Sequence, residues 1–183
     1  MDKASKILLS PQKLDVIVQR LACQLLENHL DFKNVVLIGL QPRGIYLLDR
    51  LCALLRSEYG IKSVESGYLD TTFFRDDFRR THKILTAQPN EMNIQIEGKA
   101  VVLIDDVLLT GRSIRAALTA IDSYGRPSAV ELMVLIDRRF SRHLPIQPDY
   151  LGAQIDALEG DKVRVKWSDN KTECLVYLEK NEA

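Results

Sequence analysis

Two hydrophobic rhythms alternate along the chain. Leu14, Ile17, Val18, Leu21, Cys23, Leu25 and Leu26 recur at helical spacing. Ser10-Pro11 ahead of them supplies an N-cap and a first-turn proline. Val35–Leu40 is an unbroken apolar run, short enough for a buried strand. Gln41-Pro42-Arg43-Gly44 interrupts it as a turn, and helical spacing returns over 45–59 until Gly60 stops it. Residues 101–104 predict a second buried strand, 113–124 a helix ended by Gly125-Arg126-Pro127, and 130–136 a third strand. Residues 61–75 read as extended. Lys162–Trp167 and 173–178 predict a hairpin across Ser168-Asp169-Asn170-Lys171. Residues 76–98 are polar and poorly periodic, apart from a short strand expected at 94–96. So long a connection in a compact domain is functional or mobile.

Strands alternating with helices predict an α/β fold: a mostly parallel sheet flanked by helices on both faces, in a single domain spanning 1–183. Ligands of such sheets lie beyond the C-terminal strand ends, so loops 41–44, 105–113 and 137–143 should converge there. Charge and cysteines narrow the function classes. Lys+Arg and Asp+Glu both total 25, so no global charge draws the chain to nucleic acid or anionic lipid. Cys23, Cys52 and Cys174 are widely spaced and read as buried free thiols, with neither a zinc site nor a disulfide framework. The N-terminus lacks a signal-peptide pattern and no apolar run reaches membrane-spanning length, so the expected setting is the cytoplasm.

The densest chemistry lies at 101–116. The apolar strand runs straight into Asp105 and Asp106, then a loop with Thr110, Gly111, Arg112 and Ser113, then a helix start. A plainer account ends a strand at Asp-Asp and caps a helix with Ser113. The whole ordered string fits a sugar-phosphate site better. Two carboxylates can accept hydrogen bonds from vicinal ribose hydroxyls. Loop amides and hydroxyls at a helix N-terminus can wrap a phosphate. Gly111 lets the backbone come close to that phosphate.

This string resembles the phosphoribosyl-diphosphate (PRPP) motif of the type I phosphoribosyltransferases. Gly-Tyr-Leu-Asp-Thr-Thr-Phe-Phe-Arg-Asp-Asp at 67–77, Gln-Pro-Arg-Gly-Ile-Tyr-Leu at 41–47, and the stretch from Leu-Ile-Asp-Arg-Arg to Pro-Asp-Tyr-Leu-Gly at 135–152 narrow it. They resemble the pyrimidine operon regulator and uracil phosphoribosyltransferase family over nearly the whole chain. The resemblance implies a type I phosphoribosyltransferase fold with a small hood and a C-terminal β-hairpin. It implies pyrimidine salvage: uracil and PRPP give UMP and pyrophosphate, with Mg²⁺. Asp105 and Asp106 would orient the ribose and meet Mg²⁺ through water. Thr110, Gly111, Arg112 and Ser113 would hold the 5′-phosphate. Arg43, with Pro42 and Gly44, would meet the pyrophosphate, Asp137, Arg138 and Arg139 the base, and Arg75 and Asp76 would belong to a lid. His29 and His143 read as ordinary surface or packing histidines.

Leu109 stands where purine-salvage relatives carry a carboxylate, and Asp106 stands where separate uracil salvage enzymes carry proline. Both favour the regulator-type family. Gln41 departs from its usual lysine and removes a positive charge from the diphosphate loop. Family RNA contacts use a Thr and a His on the first helix, where this chain has Gln19 and Cys23 around Arg20. The enzyme reading therefore ranks above a UMP- or PRPP-responsive RNA regulator. A phosphoribosyltransferase for another base stays open, and self-association follows by family analogy alone.

Overall fold

The computed structural model describes residues 5–75, 92, 94–157, 160–168 and 174–180. Its elements run β1 (Ser5–Leu9), α1 (Pro11–Asn28), β2 (Val35–Leu40), α2 (Gly44–Ser57), β3 (Glu65–Leu69), β4 (Ala100–Leu108), α3 (Arg112–Ile121), β5 (Ala129–Arg138), β6 (Tyr150–Ile155), β7 (Lys162–Trp167) and β8 (Cys174–Glu179). Short 3₁₀ turns lie at Thr72–Phe74 and Arg139–Ser141. The hydroxyl of Ser10 accepts the Lys13 amide at 3.4 Å, so α1 starts at the expected cap.

Five strands form one sheet in the order β3-β2-β4-β5-β6, and every neighbouring pair is parallel. All six residues of β2 are buried, which is why the strand reads as continuous rather than alternating. Val35 and Leu37 face one core with Ile104 and Leu135, beneath α1 and α2. Val36 and Ile38 face the other with Leu103 and Val134, beneath α3. The connection from β2 through α2 moves to one side of β2, and that from β4 through α3 moves the opposite way. Right-handed crossovers then place the two helices on opposite faces. The direction in which successive strands are added reverses between β2 and β4, and this switch point opens a crevice at their C-terminal ends.

A second, antiparallel sheet, β1-β8-β7, joins the N-terminal strand to the C-terminal hairpin. Val165, Cys174 and Val176 from it enter the α1/α2 core, and Trp167 packs against Tyr46 of α2 with ring centroids 5.8 Å apart. Among the described residues no helix is long and apolar enough to cross a membrane.

Several boundaries differ from the sequence expectation. β4 continues through the acidic pair to Leu108, because Asp105, Val107 and Leu108 keep their register with Val134, Ile136 and Asp137. β5 likewise takes in Asp137 and Arg138. The expected strand at 94–96 is irregular: Ile96 is fully buried but pairs with no strand. α2 ends at Ser57, and α3 runs from Arg112 to Ile121 with Gly111, at φ +87°, in the N-cap position. Ser113 therefore lies inside the first turn and is not the cap. Of the loop expected to be mobile at 76–98, residues 76–91 and 93 lie outside the described residues, as does the hairpin turn at 169–173.

The first residue of α2 fixes the crevice. A Cβ on Gly44 would sit 2.3 Å from the Ile104 carbonyl oxygen and 3.1 Å from the Asp105 Cα. The helix start thus lies directly on the backbone of β4, and only glycine permits it. Gly44→Ala is expected to lower stability by about 1–3 kcal/mol through overpacking against rigid backbone. Chemical denaturation measures this, and an unchanged midpoint would contradict so close a crossing.

Candidate active site

A cleft of about 380 Å³ lies over the C-terminal ends of β2 and β4. β4 delivers Asp105 and Asp106 to its floor. The turn after β2 brings Pro42 and Arg43, with the Gln41–Pro42 peptide bond cis. Thr110, Gly111, Arg112 and Ser113 form one wall, Arg75 and Thr71 another, and Arg138 reaches in from the end of β5. The hood closes the far side with Lys162, Val163 and Arg164 of β7.

The floor is electrostatically unusual. Asp106 is 4% exposed, whereas Asp105 keeps some surface open to the cleft. The Asp106 amide donates to Asp105 Oδ1 at 2.8 Å. Arg43 Nε lies 3.1 Å from Asp106 Oδ2, close enough for charge attraction but off-line for a hydrogen bond, so that oxygen has no hydrogen-bond partner among the described residues. Burial pushes the Asp105 carboxyl well above the usual carboxylate range, and the neighbouring Asp106 charge pushes it further. Burial also raises Asp106, although Arg43 pulls against it. A buried pair in this state favours a partner that supplies positive charge or hydroxyl donors.

The rest of the cleft is cationic. Arg43, Arg75, Arg112, Arg138, Lys162 and Arg164 line it, six against the two carboxylates. A multiply charged anion is drawn to such a cleft. Gly111 precedes α3, whose first residues Arg112 and Ser113 line the cleft, and Thr110 Oγ1 accepts the Arg112 amide at 3.4 Å. Arg75 donates to Ser113 Oγ at 3.4 Å, linking the residue before the 76–98 stretch to the phosphate-loop candidate.

The structure divides the sequence-selected residues. Asp105, Asp106, Pro42, Arg43, Thr110, Gly111, Arg112, Ser113, Arg75 and Arg138 line one cleft. Gly44 does not line it, and supports it from beneath. Asp137 and Arg139 line a neighbouring cavity of about 390 Å³ instead. There Asp137 pairs with Arg142, and Arg139 forks onto Asp156 with Nε–Oδ1 at 2.7 Å. Asp76 lies outside the described residues. His29 contacts Glu131 and Tyr150 near the opposite end of the sheet, away from this cleft. Thr71, Lys162, Val163 and Arg164 were not selected from the sequence. Thr71 follows β3 in the main sheet, whereas the nearness of Lys162, Val163 and Arg164 depends on the small sheet docking against α2, which no local spacing reveals.

A family model, phosphoribosyl transferase domain, matches residues 5–167. The chain is 36% identical over 178 residues to the bifunctional protein PyrR of Desulfosudis oleivorans, covering 97% of each chain. It is 38% identical over 169 residues to that of Halalkalibacterium halodurans, covering 90% of this chain and 92% of the relative. Among solved structures, a hypoxanthine phosphoribosyl transferase of Trypanosoma cruzi superposes with a TM-score of 0.68 at 18% identity, over 93% of this chain and 90% of that one. One from Staphylococcus aureus gives 0.62 at 21%, over 82% and 78%. At such identity these two establish the fold alone.

The acidic pair should cost stability when it ionises. A carboxyl whose pKa is raised on folding binds more protons in the native state than in the unfolded one. Its contribution is therefore fully present below the unfolded value of about 4 and is lost as pH rises through the folded pKa. Asp105→Asn is expected to raise the melting temperature near neutral pH in EDTA, with the difference shrinking as pH falls below about 4. Thermal melts across pH check this, and a variant less stable at neutral pH would contradict it.

Proposed function

The chain belongs to the phosphoribosyl transferase domain family, in its bifunctional PyrR branch, and from that membership we propose that it transfers the phosphoribosyl group of PRPP to uracil, giving UMP and pyrophosphate. The observation that carries the reading is the acidic pair on the floor of a cationic cleft at the β2/β4 switch point. Thr110, Gly111, Arg112 and Ser113 receive the 5′-phosphate at the start of α3. Asp105 and Asp106 accept hydrogen bonds from the ribose hydroxyls, which a sugar supplies and bulk water would otherwise provide. Arg43, paired with Asp106, neutralises the departing pyrophosphate. These groups act by position and fixed charge while positive character develops on the ribose.

The base lies between Arg138 and the hood. Arg138 is 8% exposed and its Nε has no hydrogen-bond partner among the described residues, which supports a role for it toward a carbonyl of the base. Leu109, one position before Thr110, offers no carboxylate to a purine ring proton. That supports a pyrimidine, whose ring N–H is already acidic. The donor set fits Mg²⁺: two hard carboxylates, one with an orphaned buried oxygen. Among the described residues no three His, Cys, Asp or Glu gather into a protein cage, which suits an ion held mainly by substrate and water. Asp105 and Asp106 would hold Mg²⁺ through water, and the ion would supply positive charge against the diphosphate. Free thiols at Cys23, Cys52 and Cys174 support a reducing, cytoplasmic setting, and self-association is carried over from the family.

Pyrophosphate release with PRPP and Mg²⁺ tests the assignment against uracil, orotate, hypoxanthine, guanine and adenine. Uracil is expected to turn over fastest; faster hypoxanthine or orotate turnover would overturn it. Asp105→Asn combined with Asp106→Asn should keep the fold and lose activity about ten- to a hundredfold or more, the cost of each lost charge-assisted hydrogen bond. A folded double variant with wild-type turnover would remove the ribose role.

The relatives' description as bifunctional favours a second, regulatory activity on pyrimidine-gene RNA. The first helix gives it weak support. Gln19 is exposed and Cys23 half-buried against the Tyr59 hydroxyl at 3.0 Å. Arg20 spends its guanidinium on the Leu151 and Gly152 carbonyls at 3.0 and 2.6 Å. Phosphate contacts supply most nucleic-acid affinity. We therefore expect weaker leader-RNA binding than in relatives that keep Thr and His there. Titration of leader RNA with UMP at near-physiological salt reads this, and nanomolar, UMP-enhanced binding would refute it.

A further inference from the structure

We propose that Arg142 is a positioning residue for the phosphate loop, tying the Leu109 carbonyl to the Asp137 carboxylate and so fixing where Thr110–Ser113 begin. The inference rests on the phosphate-loop role proposed above and adds what holds that loop in place. Backbone pairing between β4 and β5 ends at Leu108 and Asp137. One residue later the ladder is gone, yet the loop must stay within reach of a phosphate. The Arg142 guanidinium continues the cross-link. Its Nη1 donates to the Leu109 carbonyl at 2.6 Å, and its Nη2 pairs with Asp137 Oδ1. The pair is well buried, at 18% and 8% side-chain exposure, so solvent screens it little.

The neighbouring residues extend the same support. The His143 amide donates to the Thr110 carbonyl at 3.1 Å. A Cβ on Gly111 would meet Ile146 Cδ1 at 3.2 Å and Leu144 Cβ at 3.4 Å. Loop residues 109, 110 and 111 are thus each laid on the segment 142–146, with Arg142 as its charged anchor. Arg142 lines the neighbouring cavity and not the main cleft, so it acts through the loop and touches no substrate itself. A planar fork suits this task because two N–H groups serve two acceptors at once, where a lysine ammonium offers only a point charge.

The test measures PRPP affinity by titration calorimetry in Mg²⁺ with no base present, alongside the melting temperature. Arg142→Met should weaken PRPP binding about ten- to a hundredfold. It also strands the buried Asp137 charge and so lowers the melting temperature. Adding Asp137→Asn removes that charge. The double variant should recover most of the melting temperature and leave PRPP binding weak. Arg142→Lys should fall between wild type and Arg142→Met in affinity. If Arg142→Met does not fold, the double variant and Arg142→Lys carry the comparison. Wild-type PRPP affinity in Arg142→Met, or recovery of affinity together with stability in the double variant, would overturn the proposal by reducing Arg142 to a structural role. A wild-type chain that binds no PRPP would instead overturn the phosphate-loop reading, and this inference with it.

Discussion

Two carboxylates are forced into a buried corner where α2 lies on β4, and the rest of the site is arranged around their charge. Gly44 lets the helix start touch the Ile104 carbonyl and the Asp105 Cα, and Asp106 beside them is buried. Residual solvation is supplied by the Asp106 amide, by Arg43 and by whatever enters the cleft. A pair raised by burial is poorly satisfied without ligand. Hydroxyl donors and positive charge are the groups that satisfy such a pair. The acidic pair is therefore a cost of folding, and under the proposed function it is also a source of binding selectivity.

The sheet makes that arrangement rigid. Both faces of β2, β4 and β5 are packed, so a strand cannot shift its register without exposing one core or the other. The switch in strand order between β2 and β4 sends their following loops apart and leaves room for a ligand. Cationic residues then reach the crevice from five separate places: the turn after β2, the segment after β3, the start of α3, the end of β5, and β7. Dispersed attachment explains how a chain of zero formal charge presents a strongly positive cleft. Global charge balance says little about a local field.

Much of this was legible in the sequence where local pattern and tertiary environment agree. Val35–Leu40 and 101–104 read as strands because doubly buried parallel strands are continuously apolar. The Asp-Asp to Ser113 string read as a site because its residues are adjacent in the chain. Strand ends were not legible: polar Asp105 and Asp106 look like a stop, yet backbone pairing with β5 carries the strand three residues beyond Asp105 to Leu108. β1 was hidden because its partner, β8, lies at the other end of the chain. β6 was hidden too, a mixed-polarity edge strand whose role is fixed by pairing with β5. Arg138, Arg139 and Asp137 read as one base-binding group, but successive side chains on a strand end point apart, and only Arg138 enters the main cleft. The hood residues Lys162–Arg164 and the anchor Arg142 carry no local signal at all, since their importance comes from what the fold sets beside them.

Proton release on ligand binding tests the central claim most directly. Calorimetric titration of Mg²⁺ and PRPP in buffers of differing ionisation enthalpy, at a pH between the ordinary carboxylate range and neutrality, counts protons exchanged per site. Ligand protons contribute equally for any variant, so wild type is compared with Asp105→Asn/Asp106→Asn at saturating ligand. If burial raises the acidic pair and the ribose and its cation bring it back toward the ordinary carboxylate range, wild type releases more protons than the double variant. Equal release from both chains, or uptake by wild type, would contradict the account.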